Sequence, residues 1–80
     1  MKEFIATFHT HLSALLTSRA LTELGVQARM MPVPRKLSSS CGTCVRYLAE
    51  ESYLNAMDED VEAVYEKIGK EEYTLLMNAD

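Results

Sequence analysis

The chain opens on a period of two. Phe4-Ile5-Ala6-Thr7-Phe8 puts Phe4, Ala6 and Phe8 on one face and predicts a strand. His9-Thr10-His11 forms a short connection in which Thr10 suits a helix N-cap. The period then becomes helical: Leu12, Leu15, Leu16, Ala20 and Leu24 share a stripe, while Ser13, Thr17, Arg19 and Glu23 fall mostly elsewhere. Gly25 stands where a helix-ending glycine belongs. Residues 26–33 read as a second strand with Val26, Ala28 and Met30 on one face, ended or held at an edge by Pro32 and Pro34. Residues 44–48 read as a third strand. From Glu50 a second helical stripe runs through Tyr53, Leu54, Met57, Val61, Val64, Tyr65 and Ile68, with Asp58-Glu59-Asp60 as a break inside it and Gly69 as its stop. Residues 72–77 alternate again and read as a last strand. A competing arrangement puts a strand at 63–68 followed by a hairpin; the unbroken stripe favours the helix.

This order predicts an α+β fold, a ferredoxin-like β-α-β-β-α-β antiparallel sheet with two helices on one face, built as a single domain over residues 1–80. In that topology the first and third strands are neighbours. The first strand–helix junction and the loop between the second and third strands then share one end of the sheet, so His9, Thr10 and His11 are expected near Cys41 and Cys44. The sheet's uncovered face leaves room for a homodimer.

Eighty residues give a thin core, burying only about 60% of the unfolded surface. A carrier, regulator or docking module fits this size better than an enzyme with a deep cavity. No long apolar stretch suggests a secretory signal, and no run approaches the ~20 residues of a membrane span. The expectation is a cytoplasmic protein whose two cysteines are reactive or metal-binding rather than a structural staple. Residues 1–48 carry six Lys/Arg against two Glu, a charge of +4; residues 49–80 carry two Lys against ten Asp/Glu, a charge of −8. An acidic half argues against nucleic-acid binding. It reads as a solvated helix face or as a docking surface for a basic partner.

Chemistry concentrates in residues 32–44, which hold both cysteines, both prolines, Arg35, Lys36 and three consecutive serines. Cys41 is the candidate nucleophile. A free thiol titrates at about 8.5 and reacts as the thiolate. Arg35 and Lys36 offer positive charge, and Ser38, Ser39, Ser40 and the Gly42 N–H offer hydrogen bonds to sulfur or a bound anion. Cys44, three residues on, permits either a redox disulfide with Cys41 or inward packing at the start of a strand. His11 or His9 is a candidate base for the Cys41 thiol. Alternatively Cys41, Cys44, His9 and His11 form a metal set, although a lone Cys-x-x-Cys is weak support for one. The sequence shows no phosphate-binding glycine loop and no paired catalytic carboxylates.

Pro34-Arg35-Lys36-Leu37-Ser38-Ser39-Ser40-Cys41-Gly42, followed by Val45-Arg46-Tyr47 and preceded by Thr10-His11, resembles the selenium/sulfur carrier-like family. The resemblance covers residues 1–48 well and is loose beyond Leu48. It implies a small carrier and co-substrate, not a turnover enzyme, that holds sulfur or selenium on Cys41 as a persulfide or perselenide, with no other cofactor. It further implies a pyridoxal-phosphate cysteine desulfurase or selenocysteine lyase as donor and an acceptor such as selenophosphate synthetase.

Overall fold

The computed structural model describes residues 1–79. Strand β1 (Lys2–Phe8) leads into helix α1 (His11–Glu23), then β2 (Gln27–Pro32), β3 (Thr43–Ala49), a single 3₁₀ turn (Leu54–Ala56), β4 (Val61–Gly69) and β5 (Glu72–Asn78). The strands form one five-stranded sheet in the order β2-β3-β1-β4-β5, and every neighbouring pair is antiparallel. Helix α1 packs across β2, β3 and β1. Among the described residues no helix is long and apolar enough to cross a membrane.

The α+β class holds, but the β-α-β-β-α-β order with two helices does not. Among the described residues there is one α-helix, and the predicted helix over 50–68 is replaced by the 3₁₀ turn and β4, with β5 following as a hairpin. The competing strand at 63–68 is the arrangement the chain adopts. The misleading helical stripe has a local cause. Phe8 pairs with Val61 and Thr7 with Ala63, so Glu62 is an extra residue in a β-bulge. The bulge places Val61 and Val64 on the same sheet face although they are three positions apart. A strand that normally repeats every two residues thus acquires a helix-like interval. β-Branched Val61 and Val64, with Tyr65, also suit a strand better than a helix. Gly69 accordingly closes a hairpin, paired with Glu72, rather than a helix. Among the described residues the acidic half carries no α-helix, so its charges up to Glu72 lie on turns and strands.

The helix-side core joins Phe4, Ala6 and Phe8 of β1, Val45, Tyr47 and Ala49 of β3, and Val61 and Val64 of β4 to Ala14, Leu21 and Val26. Tyr47 stacks on Phe4 with ring centroids 5.0 Å apart, and its hydroxyl donates to the Ser52 carbonyl. Burial drives the Tyr47 phenol's pKa well above its ordinary value.

Helix α1 is rotated from the face its leucines suggest. Leu12, Leu16 and Leu24 are 62%, 43% and 56% exposed, while Ser13, Ala14, Thr17 and Leu21 are buried. The sheet supplies the bulky groups, Phe4, Phe8 and Tyr47, so the helix meets them with small residues, as close packing requires. Thr17 Oγ1 also accepts the Asp58 N–H at 3.0 Å, tying the 3₁₀ segment to the helix.

Thr10 caps α1 as expected: its backbone is extended and its hydroxyl oxygen accepts the Ser13 N–H at 3.1 Å. Thr10→Ala should lower stability by about 1 kcal/mol. In a thermal melt followed by circular dichroism this would appear as a Tm fall of roughly 4–8 °C.

Candidate functional site

The β2–β3 connection, residues 33–42, lies at the end of the sheet where β1 finishes and β4 begins. Adjacency of β1 to both β3 and β4 creates this meeting point. The loop narrows as it returns, with Val33 N–H donating to the Gly42 carbonyl at 3.2 Å beyond the last β2–β3 pair. Gly42 has φ 75°, a left-handed conformation that glycine adopts without the cost paid by other residues.

Cys41 is half-buried and packs against the helix-side core. Its thiol donates to the Thr43 carbonyl at 3.4 Å, and its sulfur lies 3.9 Å from Ser39 Oγ. Ser39 donates its hydroxyl proton to the Phe8 carbonyl at 2.9 Å. In this arrangement the sulfur therefore faces acceptors. An anionic sulfur would gain a donor once the freely rotating Ser39 hydroxyl turned away from Phe8.

The other predicted groups are placed differently. Ser40 turns to Glu62: its amide donates to Glu62 Oε1 at 3.1 Å and its hydroxyl to Oε2 at 2.6 Å. His9 Nδ1 lies 3.4 Å from Ser40 Oγ and 3.3 Å from Glu62 Oε2. Ser38 is exposed and makes no hydrogen bond among the described residues. Arg35 and Lys36 sit exposed in a turn closed by Leu37 N–H to the Pro34 carbonyl at 2.9 Å, with no ion-pair partner among the described residues. Arg46 is held away from this cation pair, its Nε donating to Glu3 Oε2 at 2.6 Å. His11 is exposed at the start of α1.

Cys44 belongs to a different environment from Cys41. It pairs with Thr7 in register, on the face opposite Phe8 and Val45, and is fully buried. Its thiol donates to the Pro32 carbonyl at 3.7 Å. Burial, with a smaller contribution from the neighbouring Cys41, pushes its pKa up to about 11. The thiol is thus protonated and shielded at neutral pH, both of which suppress nucleophilic attack. Iodoacetamide at pH 7.5 should modify Cys41 in the folded protein and reach Cys44 only after denaturation. Peptide mapping that found comparable native labelling of both would contradict this assignment. Among the described residues no three His, Cys, Asp or Glu side chains gather to hold a metal ion, so the set Cys41, Cys44, His9 and His11 is not assembled.

Glu62 is the site residue that sequence reasoning missed, because the helical assignment placed it on no face of interest. The competing strand at 63–68 stopped one residue short of it; in the structure β4 pairs with β1 from Val61, opposite Phe8 and next to His9. The bulge then directs the side chain toward the serine loop. Partial burial raises the Glu62 carboxyl's pKa. Hydrogen bonds from the Ser40 hydroxyl and the Ser40 amide, helped by the nearby Ser39 hydroxyl dipole and the charge of His9, outweigh that and hold the group below its ordinary value.

An open groove of about 590 Å³ lies at the other end of β1, lined by Met1, Lys2, Glu3 and residues 66–70, away from Cys41.

Among known proteins, the chain is 38% identical over 45 residues to "Uncharacterized protein YtiA" of Escherichia coli (strain K12), an alignment covering 56% of this chain and 53% of that protein. The chain thus matches about half the length of this curated relative. No solved structure matches. A family model matches residues 3–72, extending past Leu48 through the bulge and β4 into the start of β5. With most of its length covered by that model, the chain belongs to the family described as "Putative Se/S carrier protein-like".

Proposed function

We propose that this protein carries one sulfur or selenium atom on Cys41, as a persulfide or perselenide, between a donor enzyme and an acceptor. The observation that carries the proposal is the contrast between the two thiols. Cys41 is half-buried on a serine loop within reach of Ser39 Oγ, whereas Cys44 is fully buried with its pKa raised. We therefore assign the carrier role to Cys41 alone, with Cys44 as a packing residue of β3.

Loading is a thiol exchange. The Cys41 thiolate attacks the outer, zero-valent sulfur or selenium of a donor persulfide or perselenide. A new bond forms to Cys41 Sγ, the donor's bond to that atom breaks, and the donor leaves as its thiolate with no net oxidation. Ser39 would rotate to donate to the charged product. The donor class is a pyridoxal-phosphate cysteine desulfurase or selenocysteine lyase, and the acceptor class includes selenophosphate synthetase. The protein acts as a co-substrate, regenerated when the acceptor takes the atom. Arg35 and Lys36, exposed beside the loop, suit contact with an acidic partner surface better than contact with the cargo.

The test is intact-mass spectrometry after incubation with a desulfurase and cysteine, or with a lyase and selenocysteine. One reductant-sensitive chalcogen atom mapped to Cys41 supports the proposal. An unmodified protein with free thiols under both conditions overturns it.

A further inference from the structure

We infer that Glu62 is a positioning residue for Cys41, clamping the serine loop to the sheet through Ser40 and His9. Three segments distant in sequence meet at this one carboxylate. The loop contributes the Ser40 amide at 3.1 Å and hydroxyl at 2.6 Å, the β1–α1 connection contributes His9 Nδ1 at 3.3 Å, and the β4 bulge contributes Glu62 itself. His9 is fixed in turn, its N–H donating to the Asp60 carbonyl at 3.0 Å just before β4.

Ser40 immediately precedes Cys41, and Ser39, the hydroxyl nearest the sulfur, immediately precedes Ser40. Fixing Ser40 at both its amide and its hydroxyl removes freedom from the segment that sets where the sulfur points. Hydrogen bonds to a charged acceptor are the stronger kind, and a backbone contact orients the chain as well as the side chain. The remaining ties of the loop are Ser39 to the Phe8 carbonyl and Val33 to the Gly42 carbonyl. The Glu62 contacts are those formed by the residue adjoining Cys41. A residue acting this way does not touch the cargo; it holds the loop so that Cys41 meets a donor in one geometry.

The Ser40 amide reports the clamp directly, because its hydrogen-bond partner is Glu62 Oε1. In Glu62→Ala, NMR-detected hydrogen exchange at Ser40 should accelerate about tenfold or more, as expected for losing a charge-assisted bond. Amides of β1 and β3 should keep their protection. Iodoacetamide labelling of Cys41 should quicken severalfold as the loop opens. Glu62→Gln retains an acceptor oxygen and should restore much of the Ser40 protection, a rescue that simple loss of stability would not show. Unchanged Ser40 exchange and Cys41 labelling in Glu62→Ala would overturn the inference. If that variant does not fold, Ser40→Ala on the exposed loop serves instead: severalfold faster Cys41 labelling supports the clamp, and a wild-type rate overturns it.

The consequence for loading rests on the carrier reading, and the two fail separately. In Glu62→Ala, donor-dependent loading should slow while chemical labelling quickens. If the wild-type protein takes no chalcogen, the carrier reading falls, and exchange and labelling still decide the clamp.

Discussion

Cys41→Ser should take up no sulfur or selenium from a persulfide or perselenide donor, whereas wild type gains one atom per chain and Cys44→Ala gains the same. The serine hydroxyl is nearly isosteric with the thiol but lacks its nucleophilicity near neutral pH, so the expected effect is complete loss rather than a graded one. Loading in Cys44→Ala separates a single-cysteine carrier from a pair acting together. Cys44 faces the Pro32 carbonyl from a fully buried position, and its pKa of about 11 leaves it protonated where loading would take place. Intact mass and peptide mapping of the three proteins, with and without reductant, make the comparison. Full loading of Cys41→Ser would remove Cys41 from the role. Loss of loading in a folded Cys44→Ala would restore the two-cysteine exchange that the Cys-x-x-Cys spacing permits.

The largest expected loss of stability is at Tyr47. Its ring is fully buried against Phe4, in register with it across β1 and β3, and its hydroxyl is bonded to the Ser52 carbonyl. Tyr47→Ala should cost about 3–5 kcal/mol, combining lost burial with the cavity left behind. That is comparable to a small domain's total stability of about 5 kcal/mol, so much of the protein should be unfolded at 37 °C. Tyr47→Phe keeps the ring and should cost about 1–3 kcal/mol, because the Ser52 carbonyl loses its donor. Urea unfolding of the three proteins separates the ring from the hydroxyl. Equal midpoints for Tyr47→Phe and wild type would show that the hydrogen bond contributes nothing net.

Much of the first half was legible because its signals are local. Alternation marked β1, Thr10 capped α1, Gly25 lies just past its end, and two prolines bounded β2. The concentration of serines and cations around Cys41 was visible without any structure. The second half misled because Glu62 is a bulge, and one extra residue in a strand changes the interval between inward side chains from two to three. The helix face misled because hydrophobicity alone does not say which partner fills the space. Leu12, Leu16 and Leu24 remain exposed while Ser13 and Thr17 are buried, since aromatic rings from the sheet occupy the volume that leucines would have filled.

The sequence by itself determined the α+β class, the ends of helix α1, and a thiol on a loop of serines. Only the tertiary structure decided that Cys41 and Cys44, three residues apart, lie in different environments, because Cys41 stays on the loop before β3 while Cys44 is inside the strand, where pairing with β1 and packing bury it. The expected pairing of β1 with β3 already put His9 beside the serine loop, but only the pairing of β4 with the other edge of β1 brought Glu62 to Ser40, since contacts between segments distant in sequence follow from strand pairing rather than from any local pattern.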